Sequence, residues 1–330
     1  MQNKYQKLIT SLVKNRILLS EPLAKYTTFK IGGPADLFYK ATTTAELVKA
    51  IILAKKYSIP FFLLGGGTNL LVADSGFRGL VIKNETSGIR LVGMKGKQMV
   101  GYDSQTVKTV FIEADCGVGL NRLVRFTLDQ GLAGLEDFLG QPGSVGGAVY
   151  MNAHNMRLGK FVGDAVYSAK ILKDSGEVAE VAASYFQFGY DKSMLSKTGE
   201  IVLSAVFRLT TGDKNRLWEK ASETLKYRES TQPKGIYSSG CAFRNISKSE
   251  AVRLATPDYT CSTGYLLDKA GLKNYSVGKA RFSMEHANII VHSGGASASD
   301  VLELISTAKQ RVKKKFGINL TEEIILVGDF

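Results

Sequence analysis

The chain has 330 residues, 44% hydrophobic and 22% charged, an ordinary globular composition with room for two or three domains and no apolar run near the roughly 18 residues of a membrane span. Its 43 Lys and Arg against 30 Asp and Glu give a net +13, but the basic residues are dispersed and the densest group (Arg311, Lys313, Lys314, Lys315) falls at a helix end, so the excess suits attraction of small polyanions such as nucleotides and nucleic-acid binding is not expected. Three widely spaced cysteines, Cys116, Cys241 and Cys261, argue against a disulfide framework or zinc site and for a reducing, cytoplasmic setting.

Tyr5, Leu8, Ile9, Leu12 and Val13 recur at helical spacing, so the chain opens on a helix; a signal peptide would need a small-residue cleavage site after an apolar core. Gly32, Gly33 and Pro34 lead into a strand over 36–40. Thr43 with Glu46 three residues on makes a capping box, and Leu47, Ile51 and Ala54 line one face of the helix it opens. After Pro60 the apolar run 61–64 predicts a buried strand that empties into Gly65, Gly66, Gly67, Thr68 and Asn69. Glycines there let backbone N–H groups converge on an anion, and the Thr68 hydroxyl and Asn69 amide add uncharged donors, which together describe a pyrophosphate cradle. A tight solvent turn is the alternative. The loop lacks the Lys and hydroxyl residue of a Walker loop and the helix that starts inside a Rossmann fingerprint, so a bound nucleotide would rest on loops between strands. The strand-helix-strand unit places it at a strand's carboxyl end, where open α/β sheets bind nucleotides.

Residues 85–115 alternate polar and apolar, as in VKTVFIEADCG, which predicts antiparallel strands, and 121–130 predicts a helix with Leu120, Leu123, Val124 and Leu128 apolar. Residues 131–155 hold six glycines and Pro142, too many for a packed helix in a stretch too apolar for a linker, so a second wall of close backbone approach is expected. Walls at 65–69 and 140–147 would enclose one large dinucleotide. Strand-like AVYSAKIL and IVLSAVFRL lead to TTGDKN, a linker candidate, and a helix over 216–228 opens a second domain. There, SSGCAFRN (238–245) places a Gly-Cys pair in a polar loop leading to a strand, GYLLDKAGLKN (264–274) is a short helix ended by Gly271, and 300–315 is an amphipathic helix stopped by Gly317. His154, His286 and His292 lack metal-ligand spacing and are structural or nucleotide-adjacent; no metal is expected.

TTFKIGGPAD, LGGGTNLLV, GLAGLEDFLGQPGSVGGAVYMNA, YRESTQP, SSGCAFRN, DKAGLKN, HANIIV and KKFGINLTEE together resemble, nearly end to end, the UDP-N-acetylenolpyruvoylglucosamine reductase family, flavoenzymes of bacterial peptidoglycan precursor synthesis. The resemblance implies an α+β protein: a two-part FAD-binding domain of the vanillyl-alcohol-oxidase (PCMH) type over 1–211, with subdomains near 1–83 and 84–211, then an α+β substrate-binding domain over 212–330. It implies non-covalent FAD, its pyrophosphate at Gly65, Gly66, Gly67, Thr68 and Asn69 and the rest lined by Ser144, Val145 and Gly146. NADPH is the implied hydride source and the UDP-sugar enolpyruvate the acceptor. By the same resemblance the family's acid, a serine, falls on Cys241 and its glutamate on Glu323, with Glu322 adjacent; substrate-binding positions fall on Tyr190, Arg228 and Asn245.

Hydride addition to the terminal methylene of an enolpyruvyl group leaves carbanion character beside a carboxylate, so an acid for the carbon and cationic or hydrogen-bonding groups for the enolate are required. A thiol, with a reference pKa of about 8.5, is a stronger acid than an alcohol. The departure is Asp191, where the family has an arginine after the tyrosine. Lys192 is expected to take that electrophilic role, with Arg157 and Arg244 as alternatives. Two other readings are a catalytically impaired FAD- or UDP-sugar-binding relative, motivated by Asp191, and another flavin oxidoreductase on the same FAD domain, which SGCAFRN and KAGLK disfavour. A cytoplasmic monomer with no nucleic-acid or membrane partner is expected.

Overall fold

The computed structural model describes residues 2–13, 16–96 and 108–330, so 97–107 of the expected antiparallel region lie outside the described residues. Contacts divide the chain into one unit of Met1–Ile17, Phe38–Gly66 and Val81–Arg228, and another of Leu18–Leu37, Gly67–Leu80 and Glu229–Phe330. The division falls inside the 65–69 loop and again after Arg228. TTGDKN is therefore a short connection within the first unit, joining the strand Ile201–Thr211 to the helix Lys214–Thr231.

In the first unit an antiparallel sheet runs in the order Val178–Ala182, Val166–Leu172, Ile201–Thr211, Lys108–Asp115, Ile89–Gly96. Strand periodicity sends Val110, Ile112 and Ala114 to one face, where they meet Leu120, Leu123, Val124 and Leu128 of the helix Leu120–Asp129 in one buried cluster. Each of the valines, leucines and the isoleucine contributes about 1.5–3 kcal/mol on burial, which is why periodicity located both elements. The helix Thr44–Lys56 begins at the expected capping box: the Thr43 hydroxyl accepts the Glu46 N–H at 3.2 Å and the Glu46 carboxylate accepts the Thr43 N–H at 3.3 Å. Its Leu47, Ala50, Ile51 and Ala54 are fully buried. The strand Phe61–Leu64 lies beside Phe77–Asn84, as the apolar runs flanking the glycine loop predict.

In the second unit the strands Tyr237–Cys241, Ile289–His292, Ala280–Phe282 and Ser276–Val277 form a sheet covered by the helix Ala298–Phe316, which buries Val301, Leu304, Ile305, Ala308 and Val312. Gly317 ends that helix at φ 69°, a conformation glycine adopts without strain. A separate parallel pair joins Leu70–Val72, just after the glycine loop, to Ile325–Val327 near the carboxyl end.

Two local expectations fail. Gly240 and Cys241 do not sit in a loop leading to a strand; they end one, Tyr237–Cys241, at a register shift between Ser238 and Cys241 where Gly240 takes φ 83°. The glycine-rich 131–155 segment does contain a packed helix, Val145–Met151, because Ser144 caps it by accepting the Gly147 N–H and its glycines allow close packing rather than prevent helix formation.

Candidate active site

The first glycine segment leaves its donors open. Among the described residues none of the N–H groups of Gly66, Gly67, Thr68 and Asn69 meets a protein acceptor. Three carbonyls of the loop are, by contrast, occupied: that of Gly65 takes the Lys83 ammonium, that of Gly67 the Thr28 N–H at 3.0 Å and that of Asn69 the Ile325 N–H at 3.0 Å. Glycine is required for packing as well as for donor exposure. A Cβ on Gly66 would lie 2.6 Å from the Gly143 Cα, and one on Gly67, at φ 65°, would lie 2.1 Å from the Tyr26 oxygen. Consecutive open amides on a glycine-rich turn can hold a diphosphate, the role proposed for 65–69.

The second wall is closed over 145–147. Val145, Gly146 and the Ser144-capped Gly147 spend their N–H groups on the Val118 carbonyl (2.8 Å), the Cys116 carbonyl (2.9 Å) and the Ser144 hydroxyl (3.3 Å). Ser144 and Val145 are buried, and a Cβ on Gly146 would stand 3.0 Å from the Cys116 Cβ. At 145–147 this wall offers shape and packing, while the N–H groups of Gly143 and Ser144 just before it meet no acceptor among the described residues. Gly65 ties the two together, since a Cβ there would meet the Ser144 hydroxyl at 2.4 Å.

Around the departure from the family pattern the first unit places a buried carboxylate next to a histidine. Asp191 is buried at φ 51°, a conformation costing of order 1 kcal/mol or more for a non-glycine residue, and its Oδ1 lies 3.1 Å from His154 Nδ1. The His154 ring in turn packs on Tyr190, with centroids 5.0 Å apart. Sequence reasoning left His154 as structural or nucleotide-adjacent; the missed signal was an unexplained histidine in the same chain as an unexplained aspartate. Lys192 is exposed, its aliphatic stem over Gly189. Arg157, also exposed, stacks 4.4 Å over Tyr227, and Arg228, one residue on, lies beside Gly140. Arg244 belongs to the second unit, so the candidates for the electrophilic role are not gathered on one element.

In the second unit the residues that follow Cys241 pair with the segment around Glu323. The Glu323 N–H donates to the Ala242 carbonyl at 2.9 Å, Phe243 bridges Glu322, and the Arg244 N–H reaches the Thr321 carbonyl at 2.9 Å. Glu322 is engaged by Lys309. The Asn69 side-chain amide donates to the Glu323 carbonyl at 3.0 Å, fixing the end of the glycine loop to this strand pair. Asn288, from the HAN segment, clamps the stretch after Cys241: its backbone carbonyl accepts from Ala242 at 2.7 Å, while its side chain accepts from Phe243 at 3.0 Å and donates to the Phe243 carbonyl at 2.7 Å. Asn245 accepts the Thr263 N–H at 3.2 Å. Burial, aided by Lys273, pushes the His286 pKa down despite an opposing backbone hydrogen bond; its Nδ1 accepts the Asn288 N–H at 3.3 Å, so the imidazole braces this clamp in its neutral form. His292 is likewise internal, bonded to the Phe29 carbonyl and the Gly294 N–H. No cluster of three or more His, Cys, Asp or Glu among the described residues is placed to hold a metal, and no described helix is long and apolar enough to cross a membrane.

An open-amide glycine loop after a strand, within residues 35–182 that match the FAD binding domain family, defines an FAD-dependent oxidoreductase. Residues 232–327 match the family described as UDP-N-acetylenolpyruvoylglucosamine reductase, C-terminal domain. The enzyme of that name (number 1) from Bacillus anthracis is 37% identical over 98% of this chain and 99% of its own length, and the Bacillus subtilis enzyme is 36% identical over 95% and 94%. The crystal structure of the UDP-N-acetylenolpyruvylglucosamine reductase of Thermus caldophilus superposes with a TM-score of 0.70 at 33% identity, covering 94% of this chain and 98% of that one. A VAO-type flavoprotein of Myceliophthora thermophila shares the fold at 11% identity, with a TM-score of 0.53 over 95% of this chain and 85% of its own. The chain belongs to the UDP-N-acetylenolpyruvoylglucosamine reductase family, and the two-part FAD fold implied by its motifs is the fold observed.

Proposed function

We propose that this protein reduces UDP-N-acetylglucosamine enolpyruvate to UDP-N-acetylmuramate with NADPH, a step of peptidoglycan precursor synthesis. The observation that carries the reading is 37% identity over 98% of the chain to a reductase of that name, and the backbone pairing of Ala242, next to Cys241, with Glu323 supports the choice of those two residues. FAD, when bound, accepts hydride from NADPH and supplies it to the enolpyruvyl carbon. The chain's own part is to hold the diphosphate on the 65–69 amides, bind the sugar nucleotide through Tyr190, Arg228 and Asn245, and deliver a proton. Cys241 donates that proton to the substrate carbon, Glu323 assists, and Lys192 stabilises the enolate; removing one such electrostatic contact typically costs about 3–4 kcal/mol of transition-state stabilisation. Residues 1–211 serve the flavin and 212–330 the substrate, a division supported by the two family matches. The working state in this reading is a cytoplasmic monomer without nucleic-acid or membrane partners.

A yellow holoenzyme whose NADPH consumption depends on the enolpyruvyl sugar nucleotide is the expected result. Stopped-flow resolution of the half-reactions then tests the acid. Cys241→Ala leaves reduction by NADPH nearly intact and slows reoxidation by substrate by about 100-fold or more, whereas Cys241→Ser keeps appreciable activity. Parent-like reoxidation in Cys241→Ala would transfer the role to Glu323.

A further inference from the structure

Lys83 lies on the strand Phe77–Asn84, beside the strand that ends in the glycine loop, and its ammonium donates to the Gly65 carbonyl. Among the described residues that carbonyl is its one hydrogen-bond acceptor, and no carboxylate stands within ion-pair distance. The side chain is half-buried, and its charge is disfavoured by burial and by Lys40, with Glu85 opposing. A cation kept in such a place without a carboxylate partner calls for a use.

Peptide geometry supplies one. In a planar trans peptide the carbonyl and the following N–H point in opposite directions, and no described peptide bond is cis. Fixing the Gly65 oxygen on Lys83 therefore fixes the Gly66 N–H on the opposite side, and that N–H is the first of the four open donors at 66–69. The amino group also polarises the peptide, making its N–H a better anion donor. We propose that Lys83 is a positioning residue of the FAD cradle, aiming the Gly66 N–H at the diphosphate and setting a positive charge behind the loop. This rests on the reading of 65–69 as the diphosphate site.

The experiment is the FAD dissociation constant of each variant, followed by recovery of free flavin fluorescence from the holoenzyme at several salt concentrations. Lys83→Met weakens FAD by about tenfold or more and flattens the salt dependence, because a charge-assisted contact and its long-range attraction both disappear. Lys83→Arg stays within about threefold of the parent protein, and Lys83→Gln, a neutral donor, is intermediate with the flattened salt dependence. FAD bound by Lys83→Met within about twofold of the parent, with the parental salt dependence, overturns the proposal. If Lys83→Met does not fold, Lys83→Gln decides, parental affinity and salt dependence again overturning it. Gly66→Asp in the same assay separates the two levels. Flavin retained by Gly66→Asp removes the cradle and Lys83 with it, whereas flavin lost from Gly66→Asp and kept by Lys83→Met removes Lys83 alone.

Discussion

At 66–69 four successive backbone N–H groups have no acceptor among the described residues, whereas at 145–147 three successive N–H groups are all taken up inside the protein. Both segments are glycine-rich, and both are proposed to border the cofactor. In the first, the missing side chains free donors and let backbone pack on backbone; in the second, they let a short helix press against Cys116. Glycine count therefore does not distinguish a ligand-facing loop from a packing device, and the fate of the amides does.

The comparison breaks most sharply at Gly66. Gly66→Asp is expected to leave the protein essentially without flavin, because the new side chain collides with Gly143 and opposes the diphosphate charge. Gly66→Ala adds the collision without the charge, so flavin content measured on both variants apportions the effect; full flavin in Gly66→Asp would end the cradle reading.

A smaller change is expected at Gly146. Gly146→Val forces a branched side chain onto the Cys116 backbone and should lower stability by about 1–3 kcal/mol, with the folded fraction still binding FAD. Thermal unfolding paired with flavin absorbance reads both quantities. A Gly146→Val protein of parental stability that has lost its flavin would reverse the roles assigned to the two walls.

The smallest effect concerns the approach to the second wall, at Glu136. Burial works against this carboxylate, but the Gly134 N–H at 2.6 Å and Lys220 at 2.9 Å outweigh it and hold its pKa below the ordinary value. A group depressed in the folded state stabilises above its unfolded pKa, about 4.3, and that stability is lost as pH falls through the folded value. The unfolding temperature should accordingly drop more steeply below about pH 4.5 in the parent than in Glu136→Gln, by about 1–3 °C. Identical acid slopes would show that Glu136 contributes nothing to anchoring this segment.

What the sequence made legible was local. Leu47, Ile51 and Ala54 betray their helix by spacing, Thr43 and Glu46 by chemistry, and Phe61–Leu64 its strand by a run of apolar residues before glycine. Motif order carried the family and with it the cofactor. What stayed hidden were contacts between distant residues: His154 against Asp191, Lys83 against Gly65, Asn288 against Phe243. No periodicity encodes these, because each pairs a side chain with a partner that only the folded chain brings near. The helix at Val145–Met151 was missed for a different reason: helix propensity counts Gly146 and Gly147 as breakers, while tight packing on Cys116 makes their lack of a Cβ a requirement.

The attachment of the glycine loop to the carboxyl end bears on biosynthesis. Asn69 and its Glu323 partner are 254 residues apart in sequence, and Leu70–Val72 finds its parallel neighbour only in Ile325–Val327. While the polypeptide leaves the ribosome from the amino end, these early residues must wait for another 254 residues to be translated before their partners exist. Contacts of such long sequence separation close late and slowly. The nascent protein is thus expected to be incapable of firm flavin capture until Ile325–Val327 has left the ribosome, and yellow colour should not arise on shorter nascent chains.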